Sequence, residues 1–346
     1  MKLRSSLVRR WVAAIALAAS LCGWLHAATA GELTIYAGAE ADNIKFFSEQ
    51  FSKKHPNIKL NWIRDSTGII QARVLAEKDN PRADVLFAMA VTSMINLDQI
   101  GLLMPYTPKG ADKLSTSYLD GRNPSHWTGI YGWASAMCFN TVEARKTNIA
   151  RPSRWADLVN PALKGKMTMP HPASSGTGYL MVAAWIQIMG EENAWRYMDR
   201  LHENISVYSH SGSKPCEQAA SGEFVLGLSF PFRAARLKSQ GAPIEIIIAE
   251  EGTGWEMQTM GILRGTRNMD DAKTFLDWAT SQDAMEAYGS RYEVTAMPVS
   301  VKKPEHFPTE VERKLIKNDF AWSAKEQPRI ITEWRKRYDS KSEPRK

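Results

Sequence analysis

The sequence of 346 residues contains only three cysteines and, after residue 30, no long apolar run. Because a helix needs about 18 consecutive apolar residues to cross a bilayer, no membrane span is expected there. The seven histidines are scattered without a His-x-x-x-His pair, so no transition-metal centre is predicted. Internal repeats, low-complexity segments and Gly/Ser-rich linkers are also missing. The expectation is a soluble, folded chain without a flexible tether.

The first thirty residues have a composition of their own. A basic start is followed by a mostly apolar segment at 11–25 and by small residues at 26–30. This order predicts a secretory signal peptide over 1–30 and a periplasmic mature protein. Cys22 is expected to leave with the signal. The Arg9-Arg10 pair leaves twin-arginine export open beside the general secretory route.

The charge balance changes when the signal is removed. The whole chain has 44 basic and 37 acidic residues, and the first thirty residues hold four of the basic ones and none of the acidic ones. The mature chain therefore has 40 basic against 37 acidic residues, a net charge of +3. This charge is too small to favour a nucleic-acid partner. A monomer is expected.

Apolar periodicity predicts alternating strands and helices in the first third of the mature chain. The predicted segments are strand 33–36, helix 43–55, strand 58–65, helix 67–80 and strand 83–90. This succession predicts a mostly parallel sheet with helices on both faces. Ligands of such sheets bind at the carboxyl ends of the strands.

A second series of strands and helices starts near Tyr131, where GWASAMCFN is predicted to be one strand. About 316 residues exceed what one core usually organises, so two lobes are predicted. Lobe 1 is assigned to 31–130 plus 258–346, and lobe 2 to 131–257. The mostly helical tail is expected to pack back on lobe 1, and two strands are expected to cross between the lobes.

Several long blocks then carry a family resemblance. They include IYAGAEADNIKFFSEQF, RDSTGIIQARVLAEKDNPRADVLF, HPASSGTGY and HSGSKPCEQAASGEF. The chain resembles the extracytoplasmic solute-binding proteins of ABC importers, in the group that includes the ferric-iron binders, and more narrowly the 2-aminoethylphosphonate-binding subfamily. The resemblance implies a type II fold of two α/β lobes, hinge closure on a ligand, delivery to a membrane permease, and neither enzymatic activity nor a cofactor.

HPASSGTGY, residues 171–179, has the composition of an anion site. It precedes an apolar helix, and a helix N-terminus offers unpaired N–H groups and a positive dipole end. Ser174, Ser175 and Thr177 add hydroxyl donors, and Gly176 permits close approach of the backbone. In the other lobe Ser66 and Thr67 repeat this chemistry. Simple helix capping is the alternative for each of these hydroxyls.

The turn HSGSKPC, residues 210–216, supplies two further hydroxyl donors, Ser211 and Ser213. Ser211 and Lys214 also form a Ser-x-x-Lys pattern, but no Ser-Asp-Asn or Lys-Thr-Gly partner motif is present. The lysine of a P-loop is missing after Gly178 as well. A secreted hydrolase is therefore the less favoured interpretation.

An aminoethyl ligand would need an acceptor for its ammonium group. The candidate cleft groups are Glu40, Asp42, Trp255 and Glu256. Where the narrow subfamily has an acidic-aromatic pair before an arginine, this chain has Pro231-Phe232 before Arg233. The departure weakens the ammonium half of the site. Arg233 either pairs with the anion or holds its domain together.

The resemblance leaves two other ligands open. Ferric binders of this group present adjacent tyrosines to the metal, and no Tyr-Tyr pair occurs here. A phosphonate is therefore expected ahead of Fe(III) or a phosphate ester, with no metal bound. Cys138 and Cys216 remain after cleavage and are predicted to form a disulfide, the alternative being two small buried apolar side chains.

Overall fold

The computed structural model describes residues 31–291 and 294–344. The predicted signal peptide, residues 1–30, lies outside the described residues. The helices are α1 (Ala41–Lys54), α2 (Thr67–Ala76), α3 (Val91–Gln99), α4 (Thr141–Lys146), α5 (Gly176–Met189), α6 (Glu191–Asn204), α7 (Lys214–Ser221), α8 (Pro231–Ser239), α9 (Met269–Ala279), α10 (Gln282–Gly289), α11 (Val311–Lys314) and α12 (Phe320–Tyr338).

The strands form two separate sheets. They are β1 (Gly31–Ala37), β2 (Ile58–Arg64), β3 (Val85–Ala90), β4 (Leu103–Met104), β5 (Thr128–Ala134), β6 (Ala136–Asn140), β7 (Met167–Pro170), β8 (Ile205–Ser209), β9 (Leu226–Ser229), β10 (Ile244–Ile247), β11 (Trp255–Leu263) and β12 (Val294–Thr295). The first sheet has the order β12-β5-β11-β3-β1-β2, with β4 also paired to β11. The second has the order β10-β6-β9-β7-β8.

Each sheet contains a block of three parallel strands. In the first sheet β1 pairs in parallel with β2 and with β3, and in the second β7 pairs in parallel with β8 and with β9. The remaining strands of both sheets are antiparallel. The carboxyl ends of a parallel block lie at one edge of its sheet, so each lobe has one edge from which several loops emerge.

The first lobe packs around an aromatic core under its sheet. Phe47 of α1 contacts Tyr288 of α10, with ring centroids 5.0 Å apart, and Phe87 contacts Phe275 of α9 at 5.5 Å. All four side chains are at most 1% exposed. This core fixes α1, α9 and α10 against the sheet, and α1 thereby begins at the carboxyl end of β1.

The chain crosses between the sheets at Ser135. The single strand predicted for GWASAMCFN is wrong, because Ser135 divides it into β5 of the first sheet and β6 of the second. The amide of Ser135 donates to the carbonyl of Gly254 at 3.0 Å, and the Thr253 hydroxyl donates to the carbonyl of Ser135 at 2.7 Å. Both side chains are fully buried. The first crossing is thus hydrogen-bonded to the return crossing between β10 and β11.

A third segment joins this crossing point. Thr253 donates its amide to the carbonyl of Lys314 at 2.7 Å, and the amide of Ile316 donates back to the carbonyl of Thr253 at 3.1 Å. After this segment α12 contacts both lobes: Gln327 accepts a hydrogen bond from the Asn96 side chain of α3, in the first lobe, at 2.8 Å. Its Ile330, Trp334 and Tyr338 belong to the apolar core of the second sheet. The assignment of 258–346 to lobe 1 therefore describes only part of α12, because the apolar side chains of its second half lie in the core of the other lobe.

The disulfide prediction concerns two cysteines of the second lobe. Cys138 of β6 and Cys216 of α7 are bonded, with Cα atoms 5.3 Å apart and a sequence separation of 78. Both residues are fully buried, together with Ala219 and Ala234. The bond therefore ties α7, which follows the loop 210–213, to strand β6 of the second sheet.

We expect thiol labelling of the denatured, non-reduced mature protein to detect no free cysteine, and two after reduction. The Cys138→Ala, Cys216→Ala double variant should lose about 2–4 kcal/mol of stability, since the cross-link restricts the unfolded chain. Denaturant unfolding measures this loss. Two reactive thiols before reduction would contradict the bond.

Candidate functional site

A cavity of about 570 Å³, part of which is open to solvent, lies between the two lobes, at the carboxyl ends of their parallel strands. The loops after β1, β2, β8 and β9, the start of α5, and two residues of β5 and β11 form its walls. The lining residues are Gly38, Ala39, Glu40, Arg64, Asp65, Ser66, Thr67, Trp133, Ser175, Gly176, Thr177, Ser211, Gly212, Phe230 and Gln258. Seven residues of the predicted site are among them: Glu40, Ser66, Thr67, Ser175, Gly176, Thr177 and Ser211.

The first lobe contributes hydroxyls at the start of α2. Ser66 occupies the N-cap position of this helix, yet its side chain makes no capping hydrogen bond. Thr67 is the first helical residue and is 5% exposed. Beside them, Arg64 donates from Nε to the carbonyl of Ala39 at 3.2 Å. Arg64 is the one cation among the described residues that line the cavity.

The second lobe contributes hydroxyls at the start of α5. The Ser175 hydroxyl accepts a hydrogen bond from the amide of Gly178 at 3.4 Å, so Ser175 caps the helix and also lines the cavity. Gly212 packs against the same turn, because a Cβ atom there would lie 2.7 Å from Thr177 Oγ1 and 3.0 Å from Ser175 Oγ. Only a glycine permits this approach of the two loops.

The two lobes touch at the rim of the cavity. The amide of Gly68 donates to the carbonyl of Ser174 across the cleft at 2.9 Å. A Cβ atom at position 68 would lie 2.2 Å from the carbonyl oxygen of Ala173. The structure is therefore closed, with the N-terminal turns of α2 and α5 facing the same cavity.

Two predicted anion ligands do not line this cavity. The Ser174 hydroxyl donates to the carbonyls of His171 and His210 at 3.3 Å and 3.2 Å. The Ser213 hydroxyl lies 3.0 Å from that of Ser211. Both side chains therefore hold loops of the second lobe together. The sequence pattern identifies hydroxyl side chains in a turn but not the direction in which they point. That direction is set here by hydrogen bonds within and between the loops.

The predicted ammonium acceptors have protein partners. Glu40 forms a close ion pair with Arg233 of the other lobe, and Asp42 forms one with Arg236. Arg233 is thereby placed in a contact between the lobes, and it lies outside the lining of the cavity. In these pairs the arginines neutralise the two carboxylates that would otherwise accept hydrogen bonds from the ammonium group of an aminoethyl ligand.

Trp255 and Glu256 are also placed differently from the prediction. Trp255 donates from Nε1 to the carbonyl of Ile316 at 3.1 Å and lines an apolar cavity of about 360 Å³ beside the polar one. Glu256 is 1% exposed and accepts hydrogen bonds from the hydroxyl and the amide of Thr92 at 3.1 Å and 3.4 Å. Neither residue lines the polar cavity.

Several lining residues were missed by the sequence analysis. Arg64 and Asp65 directly precede Ser66, and their position at the end of a predicted strand was the available signal. Phe230 likewise follows a strand, β9. Trp133 and Gln258 had no such signal, since β5 and β11 reach the cavity only through the crossing at Ser135. Trp133 and Phe230 give the cavity an apolar wall, and both also line the apolar cavity.

We expect two helix-start variants to separate ligand binding from capping. Thr177→Val removes a hydroxyl that faces the cavity and should weaken binding of an anion roughly ten- to a hundredfold, at an unchanged melting temperature. Ser175→Ala should lose affinity and also about 1 kcal/mol of stability, because its hydroxyl caps α5. Calorimetry and thermal unfolding measure the two effects.

The matched control is Ser281→Ala. Ser281 caps α10 through a hydrogen bond from the amide of Ala284 at 3.3 Å and lies outside the cavity lining. This variant should lose stability as Ser175→Ala does, while keeping full affinity. Unchanged affinity in both cavity variants would contradict a role of these hydroxyls in binding.

Glu256 should make stability depend on pH. Burial raises the pKa of Glu256 to about 8, against the opposing hydrogen bonds from Thr92. The folded protein then holds one more proton than the unfolded chain between the ordinary glutamate pKa and about pH 8. In this window the contribution of Glu256 to stability falls as pH rises, by about 1.4 kcal/mol per pH unit.

We therefore expect Glu256→Gln to be more stable than the wild type at pH 8.5 and to approach it near pH 5. Urea unfolding across this range gives the difference at each pH. Glu192→Gln, at an exposed position of α6, serves as the control and should follow the wild-type curve. A pH profile for Glu256→Gln parallel to that of the wild type would contradict a neutral Glu256.

Comparison with known proteins defines the class. Residues 80–323 match the family model of bacterial extracellular solute-binding proteins. An uncharacterized protein of Haemophilus influenzae is 33% identical over 92% of this chain and 93% of its own length. The probable ABC transporter periplasmic-binding protein y4fP of Sinorhizobium fredii is 27% identical over 84% of this chain and 81% of its own. The chain belongs to the family of bacterial extracellular solute-binding proteins.

A solved structure agrees with this assignment. The periplasmic binding protein AfuA of Actinobacillus pleuropneumoniae, with fructose 6-phosphate bound, superimposes with a TM-score of 0.83 at 32% identity, over 89% of this chain and 99% of AfuA. The two-sheet architecture is therefore the type II periplasmic-binding-protein fold. Within the described residues, no helix has both the length and the apolar composition needed to cross a membrane.

Proposed function

We propose that this chain is the substrate-binding component of an ABC importer and that it captures a small organic phosphate or phosphonate in the cavity between its lobes. One observation carries the proposal. The N-terminal turns of α2 and α5, one from each lobe, bring Ser66, Thr67, Ser175 and Thr177 to one cavity between the lobes.

The chemistry of this cavity suits a phosphoryl group. Such a group carries several acceptor oxygens and negative charge, and helix N-termini offer amide donors together with a positive dipole end. Short hydroxyl side chains add donors at the same place, and Arg64 adds a full positive charge. An anion that contacts both lobes would favour the closed state over the open one.

The rest of the lining indicates what the organic part of the ligand, the part that carries the phosphoryl group, is like. Trp133 and Phe230 provide flat apolar surface, and Gln258 provides an amide. This mixture suits a sugar or another polyol with one C–H face and several hydroxyls. AfuA, which is 32% identical, is described with fructose 6-phosphate bound. A phosphorylated sugar is accordingly the ligand class that we place first.

The 2-aminoethylphosphonate specificity indicated by the sequence is the second candidate. Glu40 and Asp42 are engaged with Arg233 and Arg236, which leaves them poor acceptors for an ammonium group. Asp65 favours this ligand, because it lines the cavity and carries a carboxylate, one oxygen of which accepts from the Ser66 amide at 2.7 Å. Fe(III) has less support, since the described residues contain no group of three or more His, Cys, Asp and Glu side chains suited to a metal ion.

A ligand panel tests the proposal. We expect fructose 6-phosphate or glucose 6-phosphate to raise the melting temperature and to bind by calorimetry, because a ligand of the folded state stabilises it by mass action. Fructose without its phosphate is the matched control and should not bind. Ethylphosphonate and 2-aminoethylphosphonate should differ by less than a hundredfold, about 2.7 kcal/mol. A response to ferric citrate alone would contradict the proposal.

A further inference from the structure

A short segment after α12 lies behind the two loops that line the cavity from the second lobe. This segment, residues 339–343, is called the C-terminal clasp below. It lies beyond residue 323, where the match to the family ends. The amide of Glu343 donates to the carbonyl of Tyr208 at 2.9 Å, and Ser342 forms a parallel bridge with Tyr208. The clasp thereby runs along the carboxyl end of β8.

The first contact of the clasp is made to the loop 171–179. His171 is 5% exposed, and its ring packs edge-on against Trp334 at 4.7 Å. Its Nδ1 accepts a hydrogen bond from the amide of Ala173 at 3.0 Å, which places the ring proton on Nε2. Nε2 then donates to Asp339 Oδ1 at 2.9 Å. The imidazole thus links the clasp to the backbone of the loop.

The second contact of the clasp is made to the loop 210–214. Glu343 accepts from the amide of His210 at 3.2 Å and forms a close ion pair with Lys214. Lys214 is the first residue of α7, next to the hydroxyl pair of Ser211 and Ser213. The two carboxylates of the clasp therefore hold one cavity loop each.

The two loops meet in the cavity on the side away from the clasp. Ser175 and Thr177 follow His171 in the first loop, and Ser211 and Gly212 follow His210 in the second. Their contact is tight, since a single methyl group at position 212 would lie 2.7 Å from Thr177 Oγ1. A small displacement of either loop would therefore change the positions of the hydroxyls.

We propose that Asp339 and Glu343 are positioning residues of the ligand site, and that the C-terminal clasp sets the relative placement of its two second-lobe loops. The inference rests on the proposed function, because it takes the cavity to be the ligand site. Neither carboxylate touches the ligand. Asp339 acts through the imidazole of His171, and Glu343 acts through Lys214 and the amide of His210.

The test uses alanine and amide variants of the full mature protein. Asp339→Ala and Glu343→Ala delete the acceptors, whereas Asp339→Asn keeps an acceptor for His171 Nε2–H. With fructose 6-phosphate as the probe, each alanine variant should bind about tenfold more weakly and Asp339→Asn should restore most of this loss. Glu333→Ala is the matched control, because Glu333 pairs with Arg337 at 2.6 Å on α12 and contacts neither loop.

Amide hydrogen exchange of the ligand-free protein provides a second readout. Asp339→Ala should speed exchange in 171–179, and Glu343→Ala should speed exchange in 210–216, while Glu333→Ala leaves both segments unchanged. Wild-type affinity in both alanine variants would overturn the inference. Should the wild type bind no phosphorylated ligand, the proposed function fails. In that case hydrogen exchange alone tests whether the clasp positions the two loops. Unchanged exchange in 171–179 and 210–216 in the alanine variants would overturn that role.

Discussion

The closed arrangement depends on bringing two positive helix ends together. The N-terminal turns of α2 and α5 face one cavity, and the amide of Gly68 reaches the carbonyl of Ser174 across the cleft at 2.9 Å. Two such ends repel each other, and Arg64 adds to the positive potential. Negative charge between them removes the repulsion. A cavity of this construction is therefore complementary to an anion in the closed state and less so in an open one.

Ion pairs between the lobes, at the edge of the cleft, also stabilise the closed state. Glu40 and Asp42 belong to the first lobe, and their partners Arg233 and Arg236 lie on α8 of the second. The Glu40 and Arg233 side chains are only 19% and 14% exposed, so this pair is better shielded from solvent than an ordinary surface pair. It closes the cleft beside the polar cavity and, together with the second pair, neutralises carboxylates that a zwitterionic ligand would need. The same contact that supports closure thus reduces the capacity for an ammonium group.

The parts of this site that could be predicted from sequence are the local ones. Strand ends, helix starts and hydroxyl-rich turns follow from short-range patterns, and they placed Ser66, Thr67, Ser175 and Thr177 at the cavity. The orientation of Ser174 depends on a carbonyl 36 residues away, and Glu40 meets an arginine 193 residues away. The division of one predicted strand at Ser135 likewise depends on Thr253. Contacts of this range are decided by tertiary packing, on which a short pattern carries no information.

The buried Glu256 completes the electrostatic description of the cavity. It lies two residues before Gln258 on β11, so both side chains lie on the same face of the strand, and Gln258 lines the cavity. An ionised carboxylate at this depth would oppose an anionic ligand. Burial raises the pKa of Glu256 to about 8, so the side chain is mostly neutral at neutral pH. The carboxyl can then bond to Thr92 at the start of α3 without placing negative charge near the cavity. The charged residues of the lining, Glu40, Arg64 and Asp65, thus lie at the end of β2 or in the loops after β1 and β2, and Glu40 is paired with Arg233 of the opposite lobe.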